Sequence, residues 1–198
     1  MTRAKALELF RAQGGILRSC NALALGIHPA TLARLRDEKQ IQPLARGLYC
    51  LADLPPLTQP DLIAVSRKIP QAVICLISAL ALHGLTDEVP HTVDCALPRN
   101  ARSPRLAYPP LRVFRFSPPV FNAGVEVQTI DGHAVRVYGP EKTLADCFKY
   151  RHKLGLDTVL EALRRYRSKY GLRVERLMRY ARLCRVQKVM QPYLEASL

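Results

Sequence analysis

The sequence predicts an α+β fold in two parts, and three observations carry that expectation. Residues 1–52 set apolar side chains at helical spacing, break them at glycines, and end in two short apolar strands. Two prolines in Asp53-Leu-Pro-Pro-Leu-Thr58 then forbid helix and mark a boundary. Residues 58–198 alternate apolar helical runs with four strand-like runs, as expected of a mixed α/β domain with a small, mainly antiparallel sheet and C-terminal helices. The expected organisation is a winged helix-turn-helix over residues 1–52 and an α+β domain over 58–198.

Residues 3–12 place Ala6, Leu7 and Phe10 at helical spacing, and Gly14-Gly15 stops that helix. A second short helix fits residues 17–25, closed by Gly26. A third opens at Pro29, which suits a first helical turn because its missing N–H has no partner there. Ala22, Gly26, Leu32 and Leu35 stand at i, i+4, i+10 and i+13. A helix-turn-helix needs a small residue where its helices meet, a turn residue tolerant of positive φ, and two apolar residues that seat the second helix. Leu25 and Ile27 are expected to complete the small core. Residues 41–44, the turn Ala45-Arg46-Gly47 and residues 48–51 read as a hairpin, and a hairpin in that place is a wing.

With Leu32 and Leu35 facing inward, His28, Thr31, Arg34 and Glu38 belong to the outward side of the third helix. In a duplex major groove the early residues of such a helix lie nearest the base edges. Arg34 is the first candidate for base readout, because a guanidinium bonds two acceptors of guanine at once. Thr31 and His28 are candidates for phosphate or a thymine methyl, and Arg18 for phosphate beside free backbone N–H groups. Arg46 at the wing tip is a candidate for the backbone or the minor groove. An arginine extending into solvent is the alternative at each arginine position.

In the second part, Thr58 to Lys68 reads as a helix capped by Thr58, with Asp61 near its positive end, and Pro70 breaks it. Residues 71–82 read as one helix apolar on every side, hence buried, ending at a core histidine, His83. Residues 92–97, 111–116, 125–130 and 134–138 read as strands, the last two joined by the two-residue turn Asp131-Gly132. Between the first two lies a loop with Arg99, Arg102 and Arg105 and no acid, to which Arg112 and Arg115 add; it suits phosphate and a solvated loop equally. Helices follow from Pro140 and from Asp157. Near the end Arg173, Arg176, Arg179, Arg182, Arg185 and Lys188 recur every third residue, lagging a helix by about 60° per step, so they cannot share one face. Arg176, Arg179 and Arg182 lie away from or beside the apolar face of Val174, Leu177, Met178, Ala181 and Cys184, and the helix is expected to kink or end near Arg185.

The formal charge is +14, and it is uneven: +5 over residues 1–52, −2 over 53–90, +3 over 91–150 and +8 over 151–198. Two basic ends flanking a near-neutral middle point to a polyanionic partner. No run of about 20 apolar residues is present and the N-terminus has no signal-peptide core, so a cytoplasmic location away from membranes is expected. Six isolated cysteines without a CxxC pair read as buried thiols. Nothing announces an enzyme. Asp94 sits on a strand without a Glu-x-Lys partner, no Gly-Ser turn leads to paired aspartates, no glycine-rich phosphate loop appears, and the histidines are scattered. No metal or cofactor is expected.

Several of these segments resemble AbiEi-type antitoxins, of the abortive-infection kind of type IV toxin–antitoxin systems. The resemblance lies in Gly14-Gly15, Leu25-Gly26-Ile27, Leu32-x-x-Leu35 and Arg46-Gly47-Leu48-Tyr49-x-Leu51. It continues in residues 72–86, in Ala96-Leu-Pro-Arg99 and in residues 141–149, covering most of the chain. One departure is Lys39, where that family has a glycine ending the recognition helix. The resemblance implies repression of the chain's own operon through operator inverted repeats in double-stranded DNA. It also implies neutralisation of a nucleotidyltransferase toxin, which in such systems need not form a stable complex with its antitoxin. The alternative is an RNA- or protein-binding adaptor that works through the basic C-terminal helices.

Overall fold

The computed structural model describes residues 1–196. Its first part runs α1 (Arg3–Ala12), β1 (Ile16–Arg18), α2 (Ser19–Ala24), α3 (Pro29–Asp37), β2 (Ile41–Ala45), β3 (Leu48–Leu51) and α4 (Pro60–Lys68). The three strands make an antiparallel sheet in the order β1-β3-β2. Strand β1 lies where the sequence reading starts a helix. Ile16 and Leu17 are buried, and β3 offers them a free edge, pairing Ile16 with Cys50 and Arg18 with Leu48. The helix therefore starts two residues later, at Ser19. Ala6, Phe10, Leu17, Ala22, Ile27, Leu32 and Leu35 fill one small core, whereas Leu25 is 41 % exposed and takes no part in it. The turn at Gly26 separates Leu25 from Ile27 and sends only Ile27 inward.

Three helices of this part end alike, each through a residue in the left-handed region. Gly14 (φ +76°), Gly26 (φ +82°) and Lys39 (φ +56°) follow α1, α2 and α3. After them Gly15 N donates to Phe10 O, Ile27 N to Ala22 O and Gln40 N to Leu35 O, at 2.7–2.9 Å, the six-to-one bond that closes a Schellman turn. Glycine adopts this conformation freely, and a side chain there costs about 1 kcal/mol. Lys39→Gly is accordingly expected to stabilise the protein by about 1 kcal/mol, read as a higher urea midpoint with unchanged slope. A lower midpoint would refute this account of the end of α3.

The first compact unit does not stop at residue 52: it comprises Met1–Pro70, Pro104–Pro110 and Thr129–Val135. Arg67 of α4 donates to Gln13 O (2.5 Å) and Ile16 O (3.0 Å), tying α4 to the turn between α1 and β1. Thr58 does not cap α4. Its N–H and hydroxyl bond Asp131 at 2.6–3.1 Å, and Gln59 holds the cap position without a side-chain bond.

The second part contains β4 (Val73–Ile74), α5 (Leu76–Leu82), β5 (Val93–Pro98), β6 (Leu111–Phe116), α6 (Pro118–Asn122), β7 (Val125–Ile130), β8 (His133–Tyr138), α7 (Pro140–Lys149), α8 (Arg151–Leu154), α9 (Leu156–Tyr170), α10 (Val174–Leu183) and α11 (Gln187–Glu195). The sheet order is β6-β5-β4-β8-β7, with β4–β5 antiparallel but β5–β6 and β4–β8 parallel. Residues 99–110 supply the long connection that a parallel β5–β6 pair requires. The apolar run from residue 71 is a strand and then a helix, because β-branched Val73 and Ile74 pair into the middle of the sheet. At the next turn Asp131 and Gly132 both take positive φ (+48° and +79°), as a tight two-residue hairpin demands. Helix α10 ends at Leu183, with Arg185 left-handed (φ +59°) and exposed, and Pro192 lies inside α11.

Two buried charge systems organise this second unit. Asp94 is fully buried and accepts a bidentate pair from Arg112 (2.6 and 2.8 Å) plus the Ile77 N–H. Lys142 and Asp146 are both fully buried and bonded one turn apart on α7. The Lys142 ammonium stands 4.1 Å from the Tyr138 ring centre and 4.9 Å from that of Phe116, while Cys184 Sγ lies 3.2 Å from Asp146. Burial pushes the Asp146 carboxyl upward, and the facing ammonium opposes that shift. His83 is a satisfied core residue, its Nε2 2.7 Å from Tyr138 O, and burial lowers its pKa. Five cysteines are buried thiols, and Cys20 is exposed. No helix of the described residues is long and apolar enough to cross a membrane.

Candidate nucleic-acid interface

Helices α2 and α3 meet at the Gly26 turn, with Ala22, Ile27, Leu32 and Leu35 beneath them. His28 is the N-cap of α3: its Nδ1 accepts the Ala30 N–H at 3.3 Å, which leaves Nε2 as the nitrogen available to a ligand. Thr31 is half-buried. Arg34 projects from the opposite side to Leu32 and Leu35, with 73 % of its side chain exposed. Its Nε donates to Glu38 Oε1 at 2.9 Å, and Glu38 Oε2 accepts from Arg3 at 2.6 Å. The Arg34 bond, with help from Arg3, holds the Glu38 carboxyl below the usual carboxylate range. Glu38 thus aims the guanidinium by its Nε edge and leaves both terminal nitrogens free to donate. The spacing of Arg34 and Glu38, four residues apart on one helix, is a pairing signal visible in the sequence.

A second group of cations gathers at the β2–β3 turn. Arg46 is exposed at the tip, and Gly47 (φ +66°) completes the turn. Gly47 O accepts from Ser19 N (3.0 Å) and Ser19 Oγ (3.3 Å), locking the hairpin to the first residue of α2. A Cβ on Gly47 would stand 3.0 Å from Ser19 Oγ and 3.5 Å from the Lys68 ammonium. Arg18 ends β1, half-buried, and its Nε is buried without a hydrogen-bond partner. Burial first, then the nearby charges of Arg18 and Arg46, lower the pKa of Lys68. Sequence reasoning missed Lys68, because only the packing of α4 brings it to the hairpin.

Two family models match the chain: a transcriptional regulator, AbiEi antitoxin, over residues 5–52, and the AbiEi antitoxin C-terminal domain over residues 72–188. The chain belongs to the AbiEi antitoxin family. Comparison with curated proteins returns no match. The helix-turn-helix of the antitoxin lies wholly within the first matched region, while Lys68 lies in neither.

The antitoxin's remaining arginines divide into committed and uncommitted groups. Arg112 pairs with Asp94, and Arg115 organises its own loop by donating to Pro98 O, Ala101 O and Ser103 Oγ, so both are engaged within the protein. Arg99 and Arg102 are exposed in the second compact unit, and Arg105 is exposed in the first. On α10, Arg176 lies 4.0 Å from Glu141, with Arg173 at 3.7 Å from the same carboxylate. Arg182 folds back on Met178 O, and Arg179 stands 5.8 Å from the Tyr180 ring centre. Arg176, Arg179 and Arg182 are all exposed. Among the described residues no group of three or more His, Cys, Asp or Glu side chains is placed to hold a metal.

Proposed function

We propose that the antitoxin is a DNA-binding autorepressor of a type IV toxin–antitoxin operon, acting in the cytoplasm without catalytic chemistry of its own. The N-terminal unit is a winged helix, α3 its recognition helix and the β2–β3 hairpin its wing. The carrying observation is Arg34, exposed on the outward side of α3 and held at its Nε edge by Glu38, so that two parallel donors remain for guanine O6 and N7. His28 and Thr31 meet phosphate or a thymine methyl, Arg18 meets phosphate, and Arg46 reaches the backbone or the minor groove. The operator is an inverted repeat in double-stranded DNA. The functional partner is a nucleotidyltransferase toxin, countered with or without direct contact. Arg99, Arg102, Arg105, Arg176, Arg179 and Arg182, all exposed, are further candidates to meet nucleic acid or a protein partner. The engagement of Asp94 by Arg112 and the Ile77 N–H supports a non-catalytic reading, since three hydrogen bonds hold that carboxylate in a structural ion pair.

The reading is tested with a reporter placed behind the operon's own promoter. Expression of the full-length antitoxin is expected to lower reporter output, and scrambling the inverted repeat to restore it. Output that ignores the antitoxin would refute autorepression.

A further inference from the structure

Beside the wing turn opens a cleft of about 590 Å³ whose walls include Ser19, Arg46, Gly47, Lys68 and Arg105. Its three cations come from three separate segments: the wing, the last residue of α4, and the stretch Pro104–Pro110, all within the first compact unit. No carboxylate lines it. Among the described residues, no ion pair uses Arg46, Lys68 or Arg105. Gathering like charges around a half-buried ammonium is unfavourable until an anion joins them. Nearby, Arg18 Nε waits buried and unbonded.

The walls narrow the choice of anion. No aromatic side chain is present on which a base could stack, and the serine, glycine backbone and cations suit a sugar–phosphate strand. The volume exceeds what a single small ion fills and lies within the range of ligand clefts. The cleft adjoins both the wing turn and the first residue of α2, two elements that border the groove when α3 occupies it.

We propose that this cleft seats a phosphate of the DNA backbone, with Arg46, Lys68 and Arg105 as its ligands. The proposal rests on the DNA-binding reading above and extends the interface past the helix-turn-helix to α4 and the returning loop. Lys68 and Arg105 are positioning residues for the duplex and carry no sequence information.

The test measures full-length antitoxin on operator and scrambled duplexes across a salt series, with wild type, Lys68→Gln, Arg105→Gln and the double variant. Thermal melting in sodium phosphate against sodium chloride at equal ionic strength is followed alongside. Losing one phosphate contact is expected to weaken both duplexes alike, by about eightfold at 0.1 M salt, and to lower the salt slope by about 0.9. Lys68→Arg should restore the wild-type slope, which a mere folding defect would not do. Phosphate should raise the melting temperature of the wild type more than that of the double variant. Wild-type slopes in all variants overturn the cleft and leave the DNA-binding reading standing. A phosphate-specific stabilisation lost in the variants without any change on duplex assigns the cleft to a free phosphorylated ligand and overturns the backbone assignment. A wild type that binds no duplex overturns both.

Discussion

Arg34→Ala is expected to cost about 1–3 kcal/mol in operator binding and to flatten the preference for one base pair while leaving binding to scrambled duplex near the wild-type level. The asymmetry follows from geometry. Arg34 makes no contact that builds the core: its side chain is 73 % exposed and, among the described residues, it pairs with Glu38, the C-cap of α3. Removing it should therefore leave stability almost unchanged and take away only a bidentate donor. Glu38 does not upset this comparison, because its carboxylate also accepts from Arg3 and so stays paired in the Arg34→Ala protein. Equal weakening of operator and scrambled DNA would assign Arg34 to a phosphate and refute the base contact.

The largest expected effect on stability lies at Lys142. Replacing it with methionine keeps the volume, yet strands the Asp146 carboxylate at zero exposure beside Cys184 and two aromatic rings. Breaking a buried pair by removing one partner costs about 3–5 kcal/mol, far more than the pair itself contributes, because an uncompensated charge remains. A decrease of that size in urea-unfolding free energy is expected for Lys142→Met, with most of it recovered in Lys142→Met/Asp146→Leu. A double variant no better than the single one would show that the ammonium is needed for itself. The backbone is built around this lysine: a Cβ on Gly124 would come within 2.8 Å of Lys142 Cβ, so that position has no room for a side chain.

The helix-turn-helix was legible because its signals are local. The glycine needed at positive φ, the small residue under it and the two leucines beyond it all sit within fourteen residues of sequence, Ala22 to Leu35, and the structure brings them together. Even the anomaly at Lys39 could be read, as a side chain in a place that wants glycine. What could not be read depends on distant partners. Thr58 has an ordinary capping pattern but is claimed by Asp131, seventy-three residues away. Arg112 and Arg115 look like a basic loop until Asp94 and three loop oxygens absorb them. Val73 and Ile74 belong to an apolar run that serves helix and buried strand equally, and only the neighbouring β5 and β8 decide between them. Lys68 gives no sign of its role, since Arg67, through two carbonyl bonds, is what anchors its helix to the N-terminal unit.

The central claim is that α3 reads bases from the major groove, and guanine N7, which is exposed only there, reports on it directly. Methylation interference on the promoter duplex should find at least one guanine per half-site whose N7 methyl group blocks the wild-type antitoxin. The same methyl group should make no difference to Arg34→Ala. Binding by the wild type that is indifferent to every N7 methyl group would contradict a recognition helix in the groove.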